Sequence, residues 1–168
     1  MKLDAVDELI LEALQQDGRL TNKALAARVG LSPPACLERV RRLEQGGVII
    51  GYRAIVDPKA IGAHFEGWAE ISLCDQTAET LARFQSLLTS TPAIVSAYQV
   101  AGPHDFMLRF LAPSIEAWRH FRACMSDAGV AAARLSMVID TVKAEAPVCW
   151  PPTRPRSVRN AARADLAR

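Results

Sequence analysis

Residues 20–46 read LTNKALAARVGLSPPACLERVRRLEQG, and this stretch decides the fold of the first part of the chain. Thr21 is suited to cap a helix, and Gly30 stands where helices commonly end in a left-handed residue. Ser32 then caps a second helix, with Pro33 at its first position, where a missing N–H costs nothing. The stretch therefore predicts two short helices joined by a tight turn.

The second of these helices has two unlike faces. Cys36, Val40 and Leu43 form an apolar stripe at helical spacing, and the charged residues of the helix are predicted to lie opposite it. Two helices joined in this way form a helix-turn-helix, whose second helix enters the DNA major groove. The residues predicted to contact DNA are Thr21, Asn22, Ser32, Pro34, Ala35, Glu38, Arg39 and Arg42. The alternative is a plain helical hairpin with a solvated charged face.

Segments on both sides extend this unit. Asp4 can cap an earlier helix through about Gln16, which completes a three-helix domain over residues 1–50. The apolar runs at residues 48–50 and 52–56 flank Gly51 and predict a short β-ribbon. The chain then continues as a linker through residue 65. In a winged protein such a ribbon touches the DNA backbone, but a hinge between domains is the favoured interpretation.

Residues 66–146 predict a second domain. Apolar and polar residues alternate with strand and helix periods in the order strand, helix, strand, strand, helix, strand. This order is that of the ferredoxin-like fold, in which an antiparallel four-stranded sheet carries both helices on one face. The fold class is therefore α+β. The other face of the sheet holds enough apolar residues that a second subunit is expected to cover it.

The quoted stretch, and LSPPACLERVRRLE above all, resembles the Lrp/AsnC (feast-famine) family of transcription regulators. The resemblance covers about residues 2–145 and continues through AGPHDFML, residues 101–108, which looks like the family's G-x-x-D-[YF] motif. It implies a DNA-binding domain joined to a ligand-sensing domain, with double-stranded DNA as partner. It also implies dimers that assemble into tetramers, octamers or higher assemblies.

The same resemblance implies a small-molecule effector, usually an amino acid, at the loop between the middle strands. The residues assigned to it are Gly102, Pro103, His104, Asp105 and Phe106. Glycine permits close approach of the backbone, and loop N–H groups can bind a carboxylate. Asp105 either accepts from an ammonium group or braces the loop, and a tight turn without any ligand is the alternative.

Composition narrows the functional class. The four cysteines, Cys36, Cys74, Cys124 and Cys149, lie far apart, which argues against zinc and against a disulfide framework. Neither a membrane-length apolar run nor a signal peptide is present, so a cytoplasmic protein without membrane contact is expected. No metal or cofactor is predicted.

Enzymatic motifs are missing as well. The sequence contains no G-x-S-x-G, H-E-x-x-H or P-loop pattern, so the chain is not expected to be an enzyme. Two alternatives stay open. One is a sirohaem decarboxylase-like enzyme, which shares the two-domain layout, although its basic, histidine-containing motifs are not evident. The other is a ligand-binding modulator that does not bind DNA.

The end of the chain differs from the rest. Residues 147–168 begin with four prolines among nine residues and continue as RSVRNAARADLAR. Residues 151–168 carry five basic groups and one acidic group, whereas residues 1–50 carry seven of each. The tail is interpreted either as an electrostatic arm for DNA or as a frayed terminus.

Overall fold

The computed structural model describes residues 2–144 and 146–148, and the chain divides into two compact units. The first unit comprises Met1–Ala54 with the chain from Lys143 onward, and the second comprises Ile55–Val142. Each unit has its own hydrophobic core. Residues 149–168, which make up all but the first two residues of the predicted tail, lie outside the described residues.

Three helices form the first unit: α1 (Ala5–Gln16), α2 (Asn22–Val29) and α3 (Pro33–Gln45). The caps predicted at Asp4, Thr21 and Ser32 each accept a hydrogen bond from a backbone N–H three residues ahead. Gly30 ends α2 with a left-handed backbone, φ 72°. The core of this unit consists of Ile10, Ala13, Leu25, Ala26, Val29, Cys36 and Leu43.

No strand occurs at residues 48–56 in the described structure, so the predicted β-ribbon is not formed. Gly51 alone separates the two apolar runs, whereas the shortest common hairpin loops use two residues. A lone two-stranded hairpin is also marginally stable in water. The segment is instead irregular, and the side chains of Ile50 and Ile55 are 96% and 94% exposed.

Tyr52 ties the start of this segment to the first unit. Its hydroxyl donates to Glu44 Oε1 at the end of α3 over 3.0 Å. Its ring lies beside Gly18, where an added Cβ would sit 3.7 Å from Tyr52 Cδ1. Partial burial and the Glu44 carboxylate raise the pKa of Tyr52 to about 12. The linker therefore begins at a fixed point on the helix-turn-helix.

The second unit has the predicted βαββαβ order. Its elements are β1 (Phe65–Leu73), α4 (Ala78–Ser90), β2 (Ile94–Gln99), β3 (Phe106–Ala112), α5 (Ile115–Ala123) and β4 (Val130–Met137). The strands pair antiparallel in the order β2-β3-β1-β4, which is the ferredoxin-like arrangement. The α+β fold class is thus confirmed. The last strand ends at Met137, nine residues before the predicted end of the second domain at residue 146.

Both helices of this unit pack on the buried face of the sheet. Alternate residues of β1 and β3 are buried, and aromatic rings fill the space between them and the helices. Phe110 packs edge-on against Trp118 at 5.5 Å, and Phe84 lies 4.9 Å from Phe106. The opposite face carries partly exposed side chains, among them Trp68, Glu66, Arg109, Met107 and Leu111.

Two further findings concern the described residues as a whole. They contain no group of three or more His, Cys, Asp or Glu side chains placed to hold a metal ion. Within the same ranges, no helix has both the length and the apolar character that crossing a membrane requires.

The position of Tyr52 can be tested by titration, because Tyr98 is the only other tyrosine. In a Tyr98→Phe protein, the phenol absorbance is expected to change near pH 12 rather than near the ordinary value of about 10. Glu44→Gln should move the pKa of Tyr52 back toward 10. Because the pKa is raised on folding, the stabilisation from Tyr52 is complete below about pH 10 and is lost as the pH rises toward 12.

Far-UV circular dichroism at each pH is the control, since it shows whether the protein is still folded. A midpoint near 10 in folded protein would mean that Tyr52 is not held by Glu44.

Candidate functional site

A buried carboxylate fixes α3 against α1. Asp7 is 0% exposed, and Arg42 Nη2 donates to both of its oxygens, at 2.7 and 2.8 Å. Arg39 Nη1 donates to Asp7 Oδ1 at 2.8 Å and to Asp4 Oδ2 at 2.7 Å. Two arginines of one helix thus bind two aspartates of another. We call these four residues the Asp7 cluster.

The caps of α1 belong to the same arrangement. Asp7 N–H donates to Asp4 Oδ1, and Asp4 N–H donates to Asp7 Oδ2, so the two aspartates form a capping box. Burial opposes ionisation of Asp4, but Arg39 and the N–H donors outweigh it and hold the pKa of Asp4 below its ordinary value. The hydrogen bond to Asp4 likewise raises the pKa of Arg39. Both side chains are therefore charged at neutral pH.

This geometry corrects the predicted placement of Arg39. At about 100° per residue, Arg39 lies about 60° from Cys36 around the helix, beside the apolar stripe and not opposite it. Its side chain is 28% exposed and faces α1. Arg42 lies farther from the apolar stripe around the helix, and its side chain is 48% exposed. Its Nη1 and Nε make no hydrogen bond to the described residues, which leaves donors for a second partner.

The face opposite the stripe contains a residue that the sequence analysis missed. Pro34, Glu38, Arg41 and Gln45 lie within about 40° of that direction, and all four are exposed. Arg41 and Glu38 make no side-chain hydrogen bond or ion pair to the described part of the chain. Helical spacing from Cys36 was the signal that would have selected Arg41 over Arg39. Ala35, also predicted, is exposed at the edge of this face.

The start of α3 carries no free backbone donor. Pro33 and Pro34 have no N–H, Ala35 N–H donates to Ser32 Oγ at 3.4 Å, and Cys36 N–H donates to Ser32 O at 3.0 Å. Helix N-termini usually bind phosphate through such donors. The tip of α3 is therefore small and non-donating, which suits contact with base edges better than contact with phosphate.

The remaining predicted residues join the two helices. Thr21 caps α2 by accepting from Ala24 N–H, and Ser32 caps α3. Asn22 Nδ2 donates to the carbonyl oxygen of Pro33 at 2.7 Å, which links the start of α2 to the start of α3. Asn22 Oδ1 is buried and has no partner in the described structure. These three side chains build the turn geometry.

The loop between β2 and β3, residues 100–105, is braced by Asp105. One carboxylate oxygen accepts from Leu73 N–H at 2.7 Å, and the other accepts from Gln76 Nε2 at 2.7 Å. Asp105 N–H donates to Ile71 O, and Asp105 O accepts from Val100 N–H, both at 2.9 Å. Of the two roles considered for Asp105, the structure shows the brace. Each oxygen keeps a lone pair for a further donor.

The other predicted loop residues differ in what they can contact. Gly102 and Pro103 are exposed, and a Cβ added at Gly102 would meet no atom within 4 Å. His104 Nε2 lies 3.0 Å from Glu70 Oε2 on the uncovered sheet face. Phe106 was assigned to the effector, but its side chain is 4% exposed and packs on Phe84 in the core. Its position in β3 alternates inward with Leu108, so the ring faces the helices.

Two family matches cover most of the chain. Residues 3–50 match the winged helix-turn-helix DNA-binding family. Residues 68–148 match the Lrp/AsnC ligand binding domain. The first match contains the Asp7 cluster and α3, and the second contains the sheet and the loop at residues 100–105.

Individual relatives agree with these matches. The leucine-responsive regulatory protein of Rhizobium meliloti (strain 1021) is 41% identical over 121 residues, which are 72% of this chain and 78% of the relative. A transcriptional regulator from Neisseria meningitidis, solved in complex with L-Met, superposes with a TM-score of 0.83 at 29% identity, covering 88% of this chain and 97% of that one. The feast or famine regulatory protein from M. tuberculosis, complexed with L-methionine, gives a TM-score of 0.76 at 31% identity, covering 86% and 97%.

Two arginines of α3 are expected to behave differently when each is replaced by glutamine. Arg39→Gln leaves Asp4 without its arginine and deprives buried Asp7 of one, so unfolding free energy should fall by about 2–3 kcal/mol. Arg41→Gln removes an exposed side chain from the same helix and should change it by less than about 0.5 kcal/mol. Urea unfolding followed by circular dichroism measures both. Equal effects of the two substitutions would show that the Asp7 cluster does not hold α3.

Proposed function

The chain belongs to the Lrp/AsnC family of DNA-binding transcription regulators, and from that membership we propose that α3 reads DNA through the exposed face at Pro34, Glu38, Arg41 and Gln45. The observation that carries this assignment is the Asp7 cluster, which turns Arg39 toward α1 and leaves the opposite face free. The small tip of α3 enters the major groove, where its lack of donors favours close approach over phosphate binding.

Arg41 and Arg42 have separate tasks in this proposal. Arg41 makes no ion pair with the described residues and reaches a base edge or a phosphate directly. Arg42 stays bonded to Asp7 through Nη2 while its free Nη1 and Nε approach a phosphate. An arginine that is already fixed by a carboxylate loses less side-chain entropy on binding. Arg39 supports DNA binding by holding α3 in position and does not itself contact DNA.

Thr21, Asn22 and Ser32 support this interface from the turn. Asn22 holds the starts of α2 and α3 together, so its effect on binding is transmitted through helix geometry. The N–H groups of Asn22 and Lys23 at the start of α2 are not used by the Thr21 cap, which binds the N–H groups of Ala24 and Leu25. The start of α2 thus offers phosphate the donors that α3 lacks.

The second unit serves as the sensing and assembly part, acting with DNA in the cytoplasm. We infer a homodimer in which the uncovered sheet face, with Trp68, Met107 and Leu111, packs on its copy. Further dimers then meet near the loop at residues 100–105. The effector is an amino acid, because the matched domain is a ligand-binding one and two of the similar structures hold L-methionine.

The effector is held by groups that the fold leaves available in this loop. Its carboxylate faces the backbone at Gly102, and its ammonium group faces the remaining lone pairs of Asp105. The effector acts by shifting the assembly equilibrium, to the extent that its affinities for the two assemblies differ. Asp105→Ala is a poor test, since it would also release Leu73 and Gln76.

For DNA, the test uses binding sites selected from random sequence. Arg41→Gln should weaken binding to a selected site by about 1–3 kcal/mol if Arg41 meets a base, or lower the salt-dependence slope by about one unit if it meets a phosphate. Arg42→Gln should lower the slope in the same way. Glu38→Gln removes a negative charge from this face and should therefore bind at least as tightly as wild type. Folded Arg41→Gln protein that binds with wild-type affinity and slope would refute the assignment of this face.

For the effector, Gly102→Leu is the sharpest variant, because the site has open space and the backbone there does not require glycine. Wild type is expected to bind L-methionine or another amino acid in calorimetry, with a change in assembly seen by light scattering. Gly102→Leu should fold and dimerise but lose the calorimetric signal. A monomer under all conditions would refute the sheet-face dimer, and undiminished binding by Gly102→Leu would refute the loop as the ligand site.

A further inference from the structure

The uncovered sheet face contacts the loop at residues 100–105 through a pair of polar side chains. His104 Nε2 lies 3.0 Å from Glu70 Oε2, and the two side chains are 27% and 33% exposed. An ionised carboxylate can only accept hydrogen bonds, so Nε2 carries the proton of this contact. Because both side chains are partly exposed, a small solute that enters the loop can reach the same N–H.

Glu70 has a second basic neighbour on the other side of β1. Its register partner on β4 is Arg134, and directly opposed residues of antiparallel strands have Cβ atoms about 4.5–5.5 Å apart. Ala133 and Leu135 pack against the core, so strand alternation places Arg134 on the uncovered face. Arg134 is exposed and makes no hydrogen bond or ion pair with the described part of the chain. Glu70 therefore lies between an imidazole that it binds and a guanidinium that it does not.

We propose that Glu70 is an internal competitor for the effector, because its carboxylate occupies the His104 N–H that the carboxylate of an amino acid would otherwise use. The proposal rests on the effector site proposed above and names a residue of β1 that regulates it. A carboxylate has about four lone-pair sites, so His104 can share the carboxylate of the effector with the backbone at Gly102. The ammonium group of the effector remains assigned to Asp105, the next residue of the loop.

This competition connects the loop to the uncovered sheet face. When the carboxylate of the effector takes the N–H of His104, the side chain of Glu70 is released and turns to Arg134 on the neighbouring strand. The charge of Glu70 is paired in both states, and only its partner changes. Since Glu70 and Arg134 lie on the face that is proposed to pack on a second copy, this exchange gives the two states of that face different charge patterns. A ligand can shift assembly only through such a difference.

Calorimetry of the full-length protein with L-methionine tests the competition. Glu70→Gln keeps the size of the side chain, removes its charge and replaces a charge-assisted hydrogen bond with a neutral one. It should therefore bind L-methionine about three- to tenfold more tightly than wild type. Glu66→Gln is the matched control, because Glu66 lies on the same face of β1 and is paired with Arg109 instead. Its affinity should stay within about twofold of wild type.

A double-mutant cycle separates competition for His104 from a general effect of charge. His104→Ala should weaken binding of L-methionine, and adding Glu70→Gln to that variant should have no further effect. A gain in affinity that persists without His104 would overturn the competition, as would a gain of equal size in Glu66→Gln. Unchanged or weaker binding by Glu70→Gln alone would overturn it as well.

Arg134→Gln tests the exchange of partners. The displaced Glu70 then has no arginine to join, so L-methionine should bind about two- to fivefold more weakly than to wild type. In the Glu70→Gln protein, the same substitution at Arg134 should leave the affinity unchanged. Wild-type affinity in Arg134→Gln would overturn the exchange and leave the competition for His104 standing.

Failure of this inference is distinguishable from failure of the proposed function. If neither wild type nor Glu70→Gln binds L-methionine or any other common amino acid, the effector site itself is contradicted. If wild type binds and its affinity does not depend on Glu70, only the competition is contradicted.

Discussion

A buried aspartate that holds two arginines is the interaction on which the DNA-binding unit depends. Asp7 has no exposed surface, so its charge is tolerated only because Arg39 and Arg42 bind both of its oxygens. These bonds join α1 to α3 directionally, and the apolar core that the two helices share adds contacts that are not directional. The rotation of α3 about its own axis, and hence the face that we propose for DNA contact, follows from this pairing.

The second unit depends on a different constraint, the two unlike faces of its sheet. Helices α4 and α5 cover one face through a cluster of aromatic rings, and the other face holds Trp68 beside the Glu66–Arg109 ion pair, with Nε and Oε1 2.8 Å apart. Asp105 connects the loop at residues 100–105 to the end of β1. The loop is therefore held by the same sheet whose open face is proposed to assemble, so a ligand at the loop and the assembly state can influence each other.

Local signals in the sequence were sufficient for most of the fold. Asp4, Thr21 and Ser32 each cap a helix by accepting a hydrogen bond from a residue three positions ahead. These caps can therefore be recognised from residues that are close together in the sequence. The helix and strand periods of residues 66–137 likewise gave the ferredoxin-like order. The predicted β-ribbon does not form, because Gly51 alone is too short a turn between the two apolar runs. The partner of Arg39 was missed because Asp7 lies 32 residues away in the chain, although helical spacing already separated Arg39 from Arg41. Phe106 was predicted to contact the ligand because it matches a family motif. Its alternation with Leu108 along β3, however, indicates that its ring faces the core.

We infer that Asp7 sets the face of α3 that contacts DNA, and a crystal structure of the protein bound to a selected DNA site would test this inference. In that complex we expect Arg39 to remain bonded to Asp4 and Asp7, and Arg42 to keep its bond to Asp7 while it approaches a phosphate. Arg41 is expected to contact the DNA. A complex in which Arg39 leaves both aspartates to contact a base edge, with Arg41 turned to solvent, would show that Asp7 does not set this face.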